Sequence, residues 1–139
     1  QERLTVGIGA LASAEAALGW TLEYTRERKA FGKAVADFQN TRFKLAEMRT
    51  QIDVAQVFVD RCVMDHNQKK LTAEVAAEGK LFTTELLGKV VDEGVQLHGG
   101  WGYMWEYPIC KMYANARIQR IFAGTSEIMK EIISRGMKL

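Results

Sequence analysis

Between Val95 and Pro108 lies the stretch that most restricts what this chain can fold into. Gly99, Gly100 and Gly102 fall within four residues, interleaved with Trp101, Tyr103 and Trp105, and Pro108 is the only proline in the sequence. The residues on both sides carry helical periodicity. Adjacent glycines are poor in a helix interior, because they lose the most backbone entropy and have no side chain to pack. A long helix is therefore expected to end near His98, and the chain to turn through an aromatic-walled corner. Pro108 suits the first turn of the next helix, where its missing N–H costs nothing.

The remaining periodicity is helical throughout. Leu4, Ile8, Leu11, Leu18 and Leu22 recur at three- and four-residue spacing, with Glu15 as the polar interruption. This predicts an amphipathic helix from about Arg3 to Glu27, in which Ala10, Ala12, Ala14, Ala16 and Ala17 raise helix propensity and permit close neighbours. Arg28 to Lys33 close it with cations and a glycine. A second helix is predicted from about Phe38 to Asn67, its apolar seam being Thr41, Leu45, Met48, Ile52, Ala55, Val59 and Cys62. The third is expected from about Thr72 to Leu97, with Val75, Phe82, Leu86, Val90 and Val91 turned inward. Pro108 to Gln119 reads as a shorter helix, and Glu127 to Ser134 begins the last. No alternating strand pattern occurs. Three long helices plus two shorter C-terminal ones predict an all-α fold, an antiparallel four-helix bundle, in one domain spanning residues 1–139.

Composition excludes several function classes. A net charge of +2 with 26% charged residues gives no nucleic-acid or membrane-surface signature. No apolar run approaches the ~20 residues needed to span a bilayer. Cys62 and Cys110 have neither metal-ligand spacing nor a disulfide-rich context, so no metal is expected and a reducing cytoplasm is the default. Gln1 opens directly into helical sequence, as a cut through a longer protein would. Thr125 is placed to cap the last helix with its hydroxyl. Taken singly, Arg28, Gln39, Gln96 and Glu2 read as solvated helix-end groups.

Their order says more. Arg28-Lys29-Ala30-Phe31-Gly32-Lys33, then Gln39, then Gln96-Leu97-His98-Gly99-Gly100-Trp101-Gly102-Tyr103, then Ala123-Gly124-Thr125-Ser126-Glu127-Ile128 resembles the C-terminal domain of acyl-CoA dehydrogenases. The likeness extends over essentially the whole chain. It is greatest to the long-chain branch, through Gln1-Glu2-Arg3-Leu4 and Gly102 to Pro108. The resemblance implies an FAD enzyme that converts a fatty acyl-CoA thioester to the trans-2-enoyl-CoA. It implies electron transfer to an electron-transfer flavoprotein and a homotetramer or homodimer. The location would be the cytoplasm, or the mitochondrial matrix in a eukaryote, and helical and β-barrel domains would stand upstream.

Carried onto this sequence, the resemblance assigns Arg28 to the FAD pyrophosphate, a role suited to a forked guanidinium. Phe31 and Gln39 would line the adenosine side. Gln96, Leu97, Gly99 and Gly100 resemble the segment that reaches the FAD of a neighbouring subunit. Thr125 and Glu127 would contact the cofactor, although many relatives carry Gln where Glu127 stands. Arg3, Phe122 and Gly124 would lie along the acyl-CoA. Much of the family places a catalytic glutamate immediately before the Gly-Thr pair; here Ala123 stands there and cannot take a proton. A second branch supplies the glutamate from the start of the first long helix, where this chain has Glu2. The resemblance therefore assigns the base to Glu2, and leaves the Ala123 backbone N–H to bind the thioester carbonyl. Two alternatives stand beside this reading. One is a self-association module without flavin; the other is an acyl-CoA oxidase or flavin-dependent monooxygenase relative, since one fold hosts several chemistries.

Overall fold

The computed structural model describes residues 1–139 and consists almost wholly of helices. Helix α1 spans Glu2–Glu27, α2 Gln39–Asn67, α3 Ala73–His98, α4 Pro108–Gln119 and α5 Ser126–Gly136. Each start has a local cause. Thr72 and Thr125 cap α3 and α5, their hydroxyls accepting from the N–H groups of Val75 and Ile128. Pro108 opens α4. Gly99 closes α3 with φ 61, a backbone state that glycine reaches without strain.

Named contacts set the directions of the helices. Lys44 of α2 pairs with Glu93 near the end of α3, while Cys62 near the end of α2 lies against Gly79 near the start of α3. These two helices are therefore antiparallel. Along α1 and α3, Gly7 meets Gly79 and Thr83, Thr21 meets Gly94, and Tyr24 stacks on His98. That pair runs parallel and makes the most extensive packing in the molecule. Helix α4 passes Ile109 against Gly94 and Arg120 against Gly88; α5 continues with Ser126 at Glu85 and Gly136 at Glu74. The last two helices thus descend along α3 as one interrupted arm. The result is the expected antiparallel four-helix bundle.

The α1–α3 seam is built from small residues. Gly7, Ala10, Ala14, Ala17 and Thr21 face Ala76, Gly79, Thr83 and Gly94, all buried. Buried threonine hydroxyls bond back to carbonyls one turn earlier, Thr21 to Ala17 at 2.7 Å and Thr83 to Gly79 at 2.8 Å, so they carry no unpaired donor into the core. Around the seam, Leu11, Leu18, Leu45, Ile52, Leu86, Leu87, Val90 and Ile109 close one apolar cluster. Burying each such side chain stabilises the fold by ~1.5–3 kcal/mol. The predicted seam of α2, from Thr41 to Cys62, is buried at every position. Glu15 reaches solvent and pairs with Arg49 of α2 at 2.7 Å.

Two features differ from the expectation. Ile8 and Phe82 are 42% and 46% exposed, because the narrow small-residue seam, not the widest apolar stripe, takes the interior. The 29–34 stretch is not a plain helix stop. It forms a hairpin of β1 (Lys29–Ala30) and β2 (Lys33–Ala34) in antiparallel register. Phe31 and Gly32 turn it with φ 52 and 81, the positive pair of a two-residue hairpin loop. The glycine corner itself is a short 3-10 turn, Gly99–Tyr103.

Candidate functional site

Two clusters of the expected residues form, at opposite ends of α1. The first surrounds the glycine corner. Arg28 leaves α1 in an extended conformation; its N–H donates to the Tyr24 carbonyl at 2.8 Å, and its own carbonyl accepts from Val35 at 2.8 Å. This double hold plants an exposed guanidinium at the rim of a pocket of 520 Å³ shared with Gln96, Leu97, Gly99, Gly100 and Trp101. At Gly99 and Gly100 a Cβ would meet nothing within 4 Å, so the backbone is open to close approach by a ligand. A fork-shaped cation beside open main chain suits a phosphate-bearing group.

Under this pocket lies an aromatic stack. His98 is buried, its ring 4.2 Å from that of Tyr24, and its Nδ1 lies 2.7 Å from the Gly94 carbonyl. Tyr107 meets both rings edge-on, at 5.8 and 6.1 Å. Burial lowers the His98 pKa below its ordinary value, more than the Gly94 carbonyl raises it. It raises that of the Tyr24 hydroxyl, against the opposing pull of Arg28. Both shifts favour the uncharged forms of His98 and Tyr24, and the stack braces the corner from below.

The second cluster lies at the other end of α1. Glu2 and Arg3 share a pocket of 440 Å³ with Ala123, Leu71, Thr72 and His66. Residues separated by 120 positions in sequence thus meet. Glu2 is exposed in the first turn of its helix; Arg3 is half-buried, and its Nε has no partner. The opposite wall is the turn between α4 and α5, where Ala123 has φ 55 and Gly124 φ 97. Phe122 on this turn is 43% exposed. A Cβ on Gly124 would fall 2.6 Å from Met129 Cε. Thr125 turns its hydroxyl inward as a cap, and Glu127 stands exposed one residue into α5. The backbone N–H groups at that helix start and the Thr125 hydroxyl lower the Glu127 pKa below the usual carboxylate value.

At its N-terminal end, then, the chain assembles Glu2, Arg3 and the 122–127 turn; at the other it assembles Arg28, Gln96, Leu97, Gly99 and Gly100. Phe31 and Gln39 line neither pocket. Phe31 stands at the hairpin tip, 96% exposed with its ring edge-on to Phe38, and Gln39 is exposed at the start of α2. The 26 residues of α1 span ~39 Å, which separates the two clusters within one chain.

Sequence reasoning passed over Lys80. It is 1% exposed in mid-α3, and its ammonium donates to the Gly124 carbonyl. Burial lowers its pKa, and the nearby Arg3 cation lowers it further. The signal was present in its register: Lys80 follows Ala76 and Ala77 and precedes Thr83, Thr84 and Leu87 on the buried face. The Tyr24–His98–Tyr107 stack was equally unmarked, since its members come from α1, the end of α3 and the N-cap of α4.

A family model, acyl-CoA dehydrogenase, C-terminal domain, matches residues 1–138. The mitochondrial long-chain specific acyl-CoA dehydrogenase of Rattus norvegicus is 50% identical over 135 residues, which are 97% of this chain and 31% of that protein. A crystal structure of an acyl-CoA dehydrogenase from Geobacillus kaustophilus superposes with a TM-score of 0.98 at 43% identity, covering 100% of this chain and 37% of that one. A glutaryl-CoA dehydrogenase from Mycobacterium smegmatis, solved in complex with FADH2, superposes at 0.94 with 26% identity, covering 97% and 35%. This chain spans about a third of the length of such relatives. On fold and sequence together, it belongs to the acyl-CoA dehydrogenase family, as that family's C-terminal helical domain.

Proposed function

We propose that this domain serves an FAD-dependent enzyme that oxidises a fatty acyl-CoA thioester to the trans-2-enoyl-CoA. The observation that carries the reading is the convergence of Glu2, Arg3 and Ala123 on one pocket from the two ends of the chain. The half-identical long-chain relative supports a long acyl chain as substrate.

Each residue has a task that follows from its chemistry. The Glu2 carboxylate takes the α-proton of the thioester, the Cα–H electrons becoming the new Cα–Cβ π bond. The Ala123 N–H donates to the thioester oxygen, where negative charge develops as that proton leaves. This donor needs no side chain, so alanine serves as well as glutamate there. Arg3, half-buried with Nε unpaired, lies along the acyl-CoA beside Phe122 and Gly124. FAD, when bound, supplies the acceptor for the β-hydride. Arg28 would hold its pyrophosphate, the open Gly99–Gly100 backbone and Gln96–Leu97 would lie along it, and Phe31 and Gln39 would cover its adenosine. Thr125 and Glu127 would meet it from the other cluster.

The ~39 Å between clusters supports a homotetramer or homodimer in which each copy's glycine corner serves a neighbour's cofactor. An electron-transfer flavoprotein would then reoxidise the flavin. No helix is long and apolar enough to cross a membrane; the cytoplasm, or the mitochondrial matrix of a eukaryote, fits the reading.

The test is Glu2→Gln in the complete protein. The expected result is normal flavin content with anaerobic flavin reduction by a long-chain acyl-CoA slowed ~10²–10⁴-fold, the usual loss on removing a general base. Near-normal reduction would overturn the assignment. A parent protein that binds no flavin would favour a self-association module instead.

A further inference from the structure

Three consecutive backbone N–H groups, those of Ala123, Gly124 and Thr125, donate to no group of this chain. They sit in a turn whose φ values are 55 at Ala123 and 97 at Gly124. Consecutive N–H groups in such turns form concavities that receive an anion or a carbonyl oxygen. Alanine adopts that backbone state only when its surroundings enforce it. Here the enforcement comes from α3 and from the turn's own flanks. Ser126 Oγ donates to Glu85 at 2.6 Å, the Ser126 N–H to the Arg120 carbonyl at 3.1 Å, and Lys80 to the Gly124 carbonyl.

Of these holds, Lys80 is the one that packing does not account for. It is 1% exposed, no carboxylate comes within ion-pair distance, and the charge it feels most is another cation, Arg3. A buried charge without a counter-charge is costly, and a methionine would fill similar space without that cost. What the ammonium gains is one carbonyl. The Gly124–Thr125 peptide is planar and trans, so its C=O and N–H point in opposite directions. Drawing the Gly124 oxygen onto α3 turns the Thr125 N–H away from α3 and fixes the pose of the peptides beside it.

We propose that Lys80 is a positioning residue: by holding the Gly124 carbonyl against α3, it aims the unpaired N–H groups of the 123–125 turn at the thioester oxygen. This rests on the dehydrogenase reading and adds to it a residue that does not touch substrate.

The experiment uses the complete FAD-loaded protein with Lys80→Met and Lys80→Gln. Methionine removes the donor; glutamine keeps a shorter one. Both variants are expected to retain flavin and a KM for long-chain acyl-CoA within about threefold of the parent. The kcat for flavin reduction should fall roughly 100-fold in Lys80→Met, the scale of a lost oxyanion donor, and less in Lys80→Gln. A purely structural lysine would lower the melting temperature and leave kcat alone. A kcat within about threefold of the parent in either folded variant, or a loss falling on KM or flavin content, would overturn the proposal. If Lys80→Met does not fold, Lys80→Gln decides on the same split. A parent protein that no acyl-CoA reduces would instead overturn the reading beneath. A working parent with unaffected Lys80 variants would overturn this inference alone.

Discussion

Gly102→Ala separates the architecture of the corner from its ligand chemistry. A Cβ built on Gly102 falls 2.5 Å from the Val95 carbonyl oxygen, 2.9 Å from His98 Cβ and 3.0 Å from Val95 Cα. Two of these atoms belong to the α3 backbone, so no rotamer change relieves the clash. The corner must lift off the end of α3, or the last turn of α3 must unwind. Overpacking a well-packed site costs ~1–3 kcal/mol, and the rigidity of the obstacle puts this case at ~2–3 kcal/mol. The control is Gly100→Ala, where a Cβ meets nothing within 4 Å; its stability should stay within ~0.5 kcal/mol of the parent. The assay is urea unfolding of the 139-residue chain followed by helical circular dichroism, comparing midpoints at a constant m-value. Flavin content of the complete protein gives the second readout. Gly102→Ala should lose stability, whereas Gly100→Ala should keep it yet bind FAD more weakly, because its added methyl stands where the cofactor would approach. Equal stability of the two variants would refute the reasoning, and so would a Gly100→Ala protein with unchanged flavin affinity.

Two further outcomes follow from the core. The His98 pKa is depressed by burial, so its neutral form is the stabilising one: the contribution is complete above the unfolded value of ~6.5 and is lost as pH falls through the lower folded value. Unfolding free energy measured between pH 8 and 5 should therefore sag on the acid side. The sag should be shallower in His98→Gln; identical profiles for parent and His98→Gln would contradict this. At Gly94, a Cβ would lie 2.8 Å from Ile109 Cδ1 and 2.9 Å from Thr21 Oγ1, so Gly94→Ala should cost ~1–3 kcal/mol. Ile109→Val alone should cost ~0.5–1.5 kcal/mol. Because it removes Cδ1, the double variant should be more stable than the sum of the two by ~0.5–3 kcal/mol; simple additivity in urea titrations would dismiss the contact.

Much of the bundle is legible in the sequence because helix periodicity and capping are local. The α2 seam from Thr41 to Cys62 needs only a 3.6-residue repeat, and Thr125 and Pro108 announce helix starts by their own chemistry. Phe82 and Ile8 resist such reading. Their hydrophobicity says that they could be buried; only the approach of α1 to α3 through Gly7, Ala10 and Gly79 says that they are not. The 29–34 hairpin was hidden because strands of two residues cannot show alternation, and Phe31 is an unusual occupant of positive φ. Lys80 was hidden for a different reason. Its worth depends on a carbonyl 44 residues away in sequence. The convergence of Glu2 with Ala123 likewise depends on topology, since α1 and the α4–α5 turn meet only once the bundle is closed.

The break between α4 and α5 has a consequence for how this domain tolerates change. An uninterrupted fourth helix would spend every mid-length N–H on its own ladder; the break leaves three of them unspent halfway down the bundle. Any residue but proline supplies an N–H. A saturation library should therefore find position 123 permissive toward many side chains, excluding chiefly proline and the β-branched residues that φ 55 disfavours. Intolerance should surface instead at Lys80, Glu85 and Ser126, which grip the turn from outside it. On the dehydrogenase reading, the site's chemistry is thereby inherited through its scaffold, and the residue at position 123 is free to drift.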